Sequence, residues 1–432
     1  MQKTDFLNRL ESGAFDHGFR NLYGEDKAVL DRQKQRYKAA VDKFEQTYPG
    51  NDEIYVFSAP GRTEIGGNHT DHQHGCVLAA AVDVDIIGVV AFNNRGVIRV
   101  LSEGYKEISV ETNNLEIHPE EVGSAAIIRG VAAKFKEFGV SVDGFDMYAT
   151  SDVLGGSGIS SSAAFETLVG TVIDKYYNNG KLGAVEIAKI GQFAENVYFG
   201  KKSGLMDQMV SSVGGFVSID FCDPKNPVIE SCAFDFDKAG YALFITDTKG
   251  SHADLTDDYV AITTEMRQVA NYFGKDVLRE VDPEEFIKEV HNIRKECSDR
   301  ACLRAMHFFN DNRRAKEEFE SLKKGDIENF LKLVRESGES SAKLLQNLYS
   351  NKKPTEQAIP LALAVSRNSL GDVGAERVHG GGFAGTIQSF VPQNMAEEYR
   401  TAMDRLFGDG SCRLMKIRPV GGISFIEYCE NI

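Results

Sequence analysis

Tryptophan is absent from this chain of 432 residues, proline occurs ten times, and lysine and arginine are outnumbered by acidic residues, leaving a formal net charge of −15. That balance excludes a sequence-independent nucleic-acid binder, whose affinity rests on a basic surface. Long apolar runs are missing too. The longest, Cys76 to Phe92, carries Asp83 and Asp85 in strict alternation with Val82, Val84 and Ile86, which is the period of a strand and not of a membrane span. Residues Met1–Arg9 have no apolar signal core, so no export signal is read there and a cytoplasmic location is the expectation. Cys76, Cys222, Cys232, Cys297, Cys302, Cys412 and Cys429 are odd in number and lack C-x-x-C spacing. They read as reduced thiols in small core positions, not as disulfides or zinc ligands.

A chain of 432 residues is long enough for two or three domains, and 42% hydrophobic residues supply an ample core. Residues 1 to about 48 are polar with sparse apolar positions and predict a helical leader closing at Tyr48-Pro49-Gly50. From Ile54 to Gly215 short strands and helices mix. The prolines of Cys222–Pro227 mark a turn, with a domain boundary there or shortly after. Residues 254 to 350 read as charged amphipathic helices, and strands return at Gly385–Val391 and Ile423–Tyr428. Helices and strands in blocks predict an α+β fold in both halves.

The most informative segment is Asp152-Val-Leu-Gly-Gly-Ser-Gly-Ile-Ser-Ser-Ser-Ala163. An extended run, Gly144–Ser151, precedes it, and Phe165, Leu168, Val169, Val172, Ile173 and Tyr176 come after it at the spacing of one helical face. Strand, glycine turn and helix start in that order make a cradle for phosphate, because a helix start offers unpaired N–H groups and glycines admit an anion closely. Gly156, Ser157, Gly158, Ser160, Ser161 and Ser162 are the candidate phosphate-binding residues, and a serine hydroxyl there can also ligate a metal riding on the phosphates. The segment is neither a Walker loop nor a Rossmann fingerprint. A serine-rich helix cap after a tight turn is the plainer alternative on these residues alone.

Three other segments carry polar groups at densities a core rarely uses. Ala59–Gly75 holds Arg62, suited to a transferring phosphoryl group or a neighbouring carboxylate, together with Asn68 and Asp71, suited to ligand hydroxyls. Its His69, His72 and His74 invite a metallohydrolase reading, but the glycines argue against a helical H-x-x-x-H register and there is no cysteine partner. Ala194–Gln208 ends a helix at Gly200. Ile187, Ile190, Ala194 and Val197 mark the buried face of that helix and leave Glu195 at its edge, where it is a salt-bridge partner or a cation ligand. Asp207 precedes a small and apolar run, Met209–Gly215, and can accept the proton of an attacking hydroxyl. Gly374–Gly385 is a second glycine cluster leading into a strand.

Together these segments resemble the GHMP kinase family, and within it the galactokinases. Pro60–Asp71 is similar to the first family signature, Gly156–Ala163 to the phosphate loop, Gly204-Leu-Met-Asp-Gln208 to the catalytic aspartate motif, and Gly380-Gly-Gly-Phe-Ala-Gly385 to the third motif. The resemblance runs from about residue 52 to the end. It implies a two-lobed fold, a leader over 1–50, an amino-terminal kinase domain over 51–240 and a carboxyl-terminal one over 241–432. It also implies phosphoryl transfer from ATP to the anomeric hydroxyl of a sugar, galactose first, with Mg2+ present. Asp207 would be the base or hydroxyl-positioning group with Arg62 beside it. Ser162 and Glu195 would be the metal ligands, and Asn68, His69, Asp71, Gly204 and Tyr259 would meet the sugar. Galactokinases usually have Glu where this chain has Asn68, Tyr at His72 and Pro at Leu154, and the arginine pair expected after Tyr259 is missing. Galacturonate or arabinose is therefore the alternative sugar substrate. A non-catalytic sensor of sugar and nucleotide is the alternative from another class, though it has no need of Ser162, Glu195 and Asp207 together.

Overall fold

The polar leader folds into three helices, α1 (Lys3–Glu11), α2 (Asp16–Tyr23) and α3 (Lys27–Thr47). Its few apolar positions are largely aromatic and converge, with Phe6, Phe15, Phe19, Tyr23, Tyr37 and Phe44 buried in one core. The start of α3 is set by Asp26, whose carboxylate accepts the Val29 N–H at 3.0 Å and so satisfies one of the free donors of the first turn. The structure is a computed structural model that describes residues 1–121, 123–153, 159–251 and 255–432.

After the leader come β1 (Tyr55–Gly66), β2 (Cys76–Phe92), β3 (Val97–Ser102), β4 (Ile108–Glu111), α4 (Ser124–Glu137), β5 (Gly144–Ser151), α5 (Ser161–Tyr177), α6 (Gly183–Phe193), α7 (Met206–Val213), β6 (Phe216–Asp220) and β7 (Val228–Cys232). The run read as a strand is β2, the spine of the first sheet. It pairs with β1 along its length, with β6 through Cys76–Ala80 and with β5 through Ile86–Phe92. Strand β5 runs parallel to β3, and β3 pairs antiparallel with β4. The proline turn at 222–227 proves to be the hairpin between β6 and β7, inside this sheet.

A second sheet begins with β8 (Tyr241–Asp247). It is followed by the charged amphipathic helices α8 (Thr256–Tyr272), α9 (Pro283–Glu296), α10 (Asp299–Lys324) and α11 (Ile327–Ser340), and then by α12 (Ala358–Leu370), β9 (Ala375–His379), β10 (Thr386–Pro392), α13 (Ala396–Phe407) and β11 (Cys412–Met415). Its strand order is β11-β8-β10-β9, antiparallel throughout. Mixed sheets and helices in two blocks make the α+β class. The chain then returns to the first sheet, where β12 (Ile423–Ser424) pairs with β1 at Phe57 and Ser58. The strand expected over 423–428 stops there, and Phe425–Asn431 form a helix, α14. Phe425 and Cys429, one helical turn apart, are both buried in the leader's aromatic core, so burial of that face overrides a β-rich local sequence. All seven cysteines are free thiols, and no helix among the described residues is long and apolar enough to cross a membrane.

Candidate active site

Strand β1 passes beside the end of the glycine loop, where the Arg62 N–H donates to the Ile159 carbonyl at 3.1 Å. Three segments converge there. From β1, Arg62 donates through Nε to Asp207 Oδ1 at 2.7 Å and through Nη2 to Asp207 Oδ2 at 2.8 Å, a two-pronged match of guanidinium and carboxylate. From the cap of α5, Ser160 takes a 2.9 Å hydrogen bond from Arg62 Nη2 and donates its own hydroxyl proton to Asp207 Oδ2. Ser160 adopts a left-handed backbone, φ 58°, a strained conformation for a residue with a side chain. Asp207 itself stands in the first turn of α7, which is tied to β1 by a 2.7 Å bond from Ser211 Oγ to the Pro60 carbonyl. Burial pushes the Asp207 carboxyl up, but the Arg62 guanidinium and the Ser160 hydroxyl outweigh it and hold the group below its ordinary value.

Below this triad sits a pair of buried carboxyls. Helix α6 continues into a π turn, Ala194–Phe199, that ends at Gly200 in left-handed conformation. The wider turn changes which side chains face the core. Val197, expected on the buried face, is 44% exposed, whereas Glu195, expected at the edge, is 2% exposed. Glu195 Oε2 accepts from Gln208 Nε2 at 3.0 Å, and Oε1 accepts from Lys201 Nζ at 2.8 Å. The same Gln208 amide donates to Glu166 Oε2 at 2.9 Å. Glu166 lies four residues after Ser162 on α5, hence on the same helical face and one turn below it. Burial, reinforced by the nearby Glu195 charge, raises the Glu166 carboxyl to about 9, so it carries a proton at neutral pH. Among the described residues, Glu166 Oε1 and Gln208 Oε1 have no hydrogen-bond partner although both are buried.

The remaining candidates gather against the second glycine cluster and the segment before α7. His69, at φ 59°, donates through Nε2 to the Gly381 carbonyl at 2.9 Å, since a carbonyl can only accept. Burial first, and the neighbouring His72 second, lower the His69 imidazole to about 4, so it is neutral at pH 7 and its Nδ1 is an acceptor. Asp71 abuts Gly204 so closely that a Cβ on Gly204 would lie 3.0 Å from Asp71 Oδ2. Tyr259 donates its hydroxyl to the Gly382 carbonyl at 2.9 Å, and a Cβ on Gly381 would meet its ring at 2.7 Å. The second glycine cluster thus lets the Tyr259 ring and the His69 loop approach one backbone. Asn68 differs from expectation. It is 0% exposed, its Nδ2 donates to Glu64 Oε1 at 2.9 Å and to the Gly380 carbonyl at 2.7 Å, and its Oδ1 accepts from Asn347 Nδ2 at 2.8 Å. An amide spent in this way has no group to offer a sugar, so Asn68 is a framework residue that ties the end of β1 to the second glycine cluster.

Gly156, Ser157 and Gly158 lie outside the described residues; Ser161 and Ser162 stand in the first turn of α5, with Ser162 exposed. Among the described residues no three His, Cys, Asp or Glu side chains gather as a metal site. Sequence reasoning passed over Glu166, Gln208 and Lys201. Counting one turn from Ser162 marks Glu166, and adjacency to Asp207 marks Gln208. The position of Lys201 depends on the π turn, for which the sequence carries no signal.

Residues 42–92 match the profile of the family described as "Galactokinase galactose-binding signature", and residues 126–215 that of "GHMP kinases N terminal domain". The galactokinase of Actinobacillus pleuropneumoniae serotype 5b (strain L20) is 32% identical over 364 residues, covering 84% of this chain and 91% of that one. The galactokinase of Glaesserella parasuis serovar 5 (strain SH0165) is 30% identical over 359 residues, covering 83% and 90%. Among solved structures, Lactococcus lactis galactokinase complexed with galactose superposes with a TM-score of 0.76 at 22% identity, over 90% of this chain and 100% of that one. Methanococcus jannaschii mevalonate kinase shares the same fold more loosely, with a TM-score of 0.57 at 15% identity over 84% and 98%.

Proposed function

The chain belongs to the galactokinase family of GHMP kinases, and on that premise we propose that it transfers the γ-phosphoryl group of ATP to the anomeric hydroxyl of galactose, giving galactose 1-phosphate and ADP. The observation that carries the reading is the convergence of Arg62, Ser160 and Asp207 where β1, the start of α5 and α7 meet. A hydroxyl seated against Asp207 finds an acceptor that is ionised and immobilised. As its oxygen bonds the γ-phosphorus and the bond to the β–γ bridging oxygen breaks, its proton passes to Asp207, and the leaving oxygen departs with ADP. Arg62 keeps that carboxylate weakly basic, so Asp207 acts chiefly by orientation, which suits a loose phosphoryl-transfer transition state that needs little push from the nucleophile. Arg62 also presents positive charge to the equatorial oxygens. His69, Asp71, Gly204 and Tyr259 are our sugar-side residues, with His69 Nδ1 an acceptor for one hydroxyl. The start of α5, with Ser160, Ser161 and Ser162, is the phosphate side.

Mg2+ fits the second cluster. Glu195 already has one oxygen anchored by Gln208 and the other turned to a cation, the Lys201 ammonium, which stands in for a metal. Glu195 and Ser162 are the hard oxygen ligands we assign to it, the rest being left to nucleotide phosphates and water. When bound, Mg2+ supplies neutralisation of charge on the transferring phosphoryl group. The test is a coupled ADP-release assay across galactose, galacturonate, arabinose, glucose and mevalonate. Galactose should give the highest kcat/KM; a clear preference for another of the five overturns the sugar assignment, and turnover of none overturns the kinase.

A further inference from the structure

Lys201 and Glu195 are an unequal pair: the carboxylate is 2% exposed and the lysine side chain 59% exposed, yet Nζ and Oε1 lie 2.8 Å apart. The pairing is built by the backbone. Gly200, at φ 79°, reverses the chain after the π turn, the Lys201 N–H donates to the Glu195 carbonyl at 3.1 Å, and the side chain then folds back over the same residue. Glu195 Oε2 is meanwhile fixed by Gln208, so only one oxygen faces the cation. The other groups nearby have their own partners: Asp207 is matched by Arg62, and Glu166 Oε2 accepts from Gln208. Glu195 is therefore the carboxylate whose charge Lys201 balances; the lysine stem stands in water and is free to swing, but the buried carboxylate can release it only to another cation.

We infer that Lys201 is a tethered counter-ion that occupies Glu195 Oε1 in the resting enzyme and yields it to a divalent cation only when nucleotide phosphates arrive to receive the displaced ammonium. The inference rests on the assignment of Glu195 to the metal. A bare divalent ion entering alone meets one buried carboxylate, one exposed hydroxyl and a resident positive charge, which is a poor site for a hard cation that keeps its waters. A metal–nucleotide complex brings several negative oxygens at once. It supplies the missing ligands and gives the flexible lysine stem a new anionic partner. The lysine thus couples metal uptake to nucleotide uptake.

The experiment measures Mn2+ binding to the full-length protein from the free-ion EPR signal, with and without a saturating imido analogue of ATP. The wild type should bind Mn2+ tightly only with the analogue. Lys201→Met should bind it about tenfold tighter than wild type without the analogue, a fold-change in the range expected when a competing ion pair is removed, while Lys201→Arg should behave as wild type. Equal Mn2+ affinity of wild type and Lys201→Met in both states overturns the inference, as does a wild type that binds Mn2+ equally well with and without nucleotide. Lys201→Gln replaces the Met variant if thermal melting shows the latter unfolded. Glu195→Gln separates the two readings. If it keeps wild-type Mn2+ affinity with the analogue present, the metal assignment itself fails, whatever Lys201 does.

Discussion

Arg62 and Asp207 face each other across hydrogen bonds of 2.7 and 2.8 Å, and the pairing limits what either can do. Asp207→Asn keeps the size of the side chain and removes its charge. Turnover should fall roughly a hundredfold or more while most sugar affinity remains, as loss of a base or hydroxyl acceptor does. Single-turnover kinetics beside galactose titration separates the two, and near-wild-type turnover takes Asp207 out of the chemistry. The same contacts set the pH dependence. In the wild type the Asp207 carboxyl lies below its ordinary value of 3.8, because Arg62 and Ser160 outweigh burial, so it stays ionised across the neutral range. In Arg62→Met burial is no longer opposed by that charge and the carboxyl rises. The acid limb of kcat/KM should then move to higher pH. An acid limb that stays where the wild type has it would mean that another group titrates there.

One buried carboxylate on β2 ties the leader to the first sheet. Asp85 accepts from Arg36 Nη1 at 2.6 Å, from the Tyr23 hydroxyl at 2.6 Å, from Arg418 Nη1 at 2.8 Å and from the Ser58 hydroxyl. Arg36 and Tyr23 belong to the leader and Arg418 to the returning carboxyl terminus, so Asp85 joins three parts of the chain. Helix α3 also reaches Asp152, at the entry to the glycine loop, through Arg32 at 2.5 Å and Gln33 at 3.2 Å. Burial raises Asp85, but Arg36 and Arg418 more than reverse it, and the folded value lies below 3.8. Linkage gives the sign: a depressed carboxyl contributes stability that is present above its unfolded value, near pH 4, and is lost as pH falls through the folded one. Asp85→Asn leaves Arg418 without its counter-ion and Arg36 with only Asp152, at 3.2 Å, and should cost about 3 to 5 kcal/mol in urea unfolding. It should also remove this acid dependence. If limited proteolysis of that variant cuts the leader no faster than in wild type, Asp85 is not its anchor.

At the scale of the whole molecule the two sheets meet along a polar seam behind Arg62. From β9, Arg377 donates to Glu64 Oε1 at 2.8 Å, and from β10, Gln388 donates to Thr63 Oγ1 at 2.7 Å and to the Glu64 carbonyl at 3.0 Å. Thr63 and Glu64 come directly after Arg62 on β1, so the second sheet braces the strand that carries the candidate catalytic arginine. The ends of the chain meet in the leader's aromatic core. Phe425 of α14 packs on Phe15 at 5.5 Å, Phe19 at 5.0 Å and Tyr37 at 4.7 Å between ring centres. Phe425→Ala should lower stability by about 3 to 5 kcal/mol through the cavity it leaves. Hydrogen exchange should rise together in α1–α3 and α14. A loss confined to α14 would show that the leader folds without it.

The sequence by itself determined what depends on neighbours along the chain. The alternation around Asp83 and Asp85 made β2 a strand. Glycines between an extended run and an apolar helical face set β5 and α5 in order, and the polar amphipathic stretch after residue 254 became α8 to α11. Four short segments in the family's order were enough to name phosphoryl transfer, because phosphate and hydroxyl chemistry needs particular residue types at short spacing. Tertiary structure decided what depends on residues far apart. Asn68 looked like a sugar contact until Gly380 and Asn347, from the other half of the chain, were found holding its amide. Glu195 looked like an edge residue until a π turn carried it inward, and Phe425 belongs to a helix because an aromatic core built by the first fifty residues is there to receive it. Local backbone preference is a weak term, worth fractions of a kcal/mol per residue, whereas burying a ring or completing a buried hydrogen bond is worth several times more. Where the two compete the distant partner wins, and a distant partner cannot be read from local spacing.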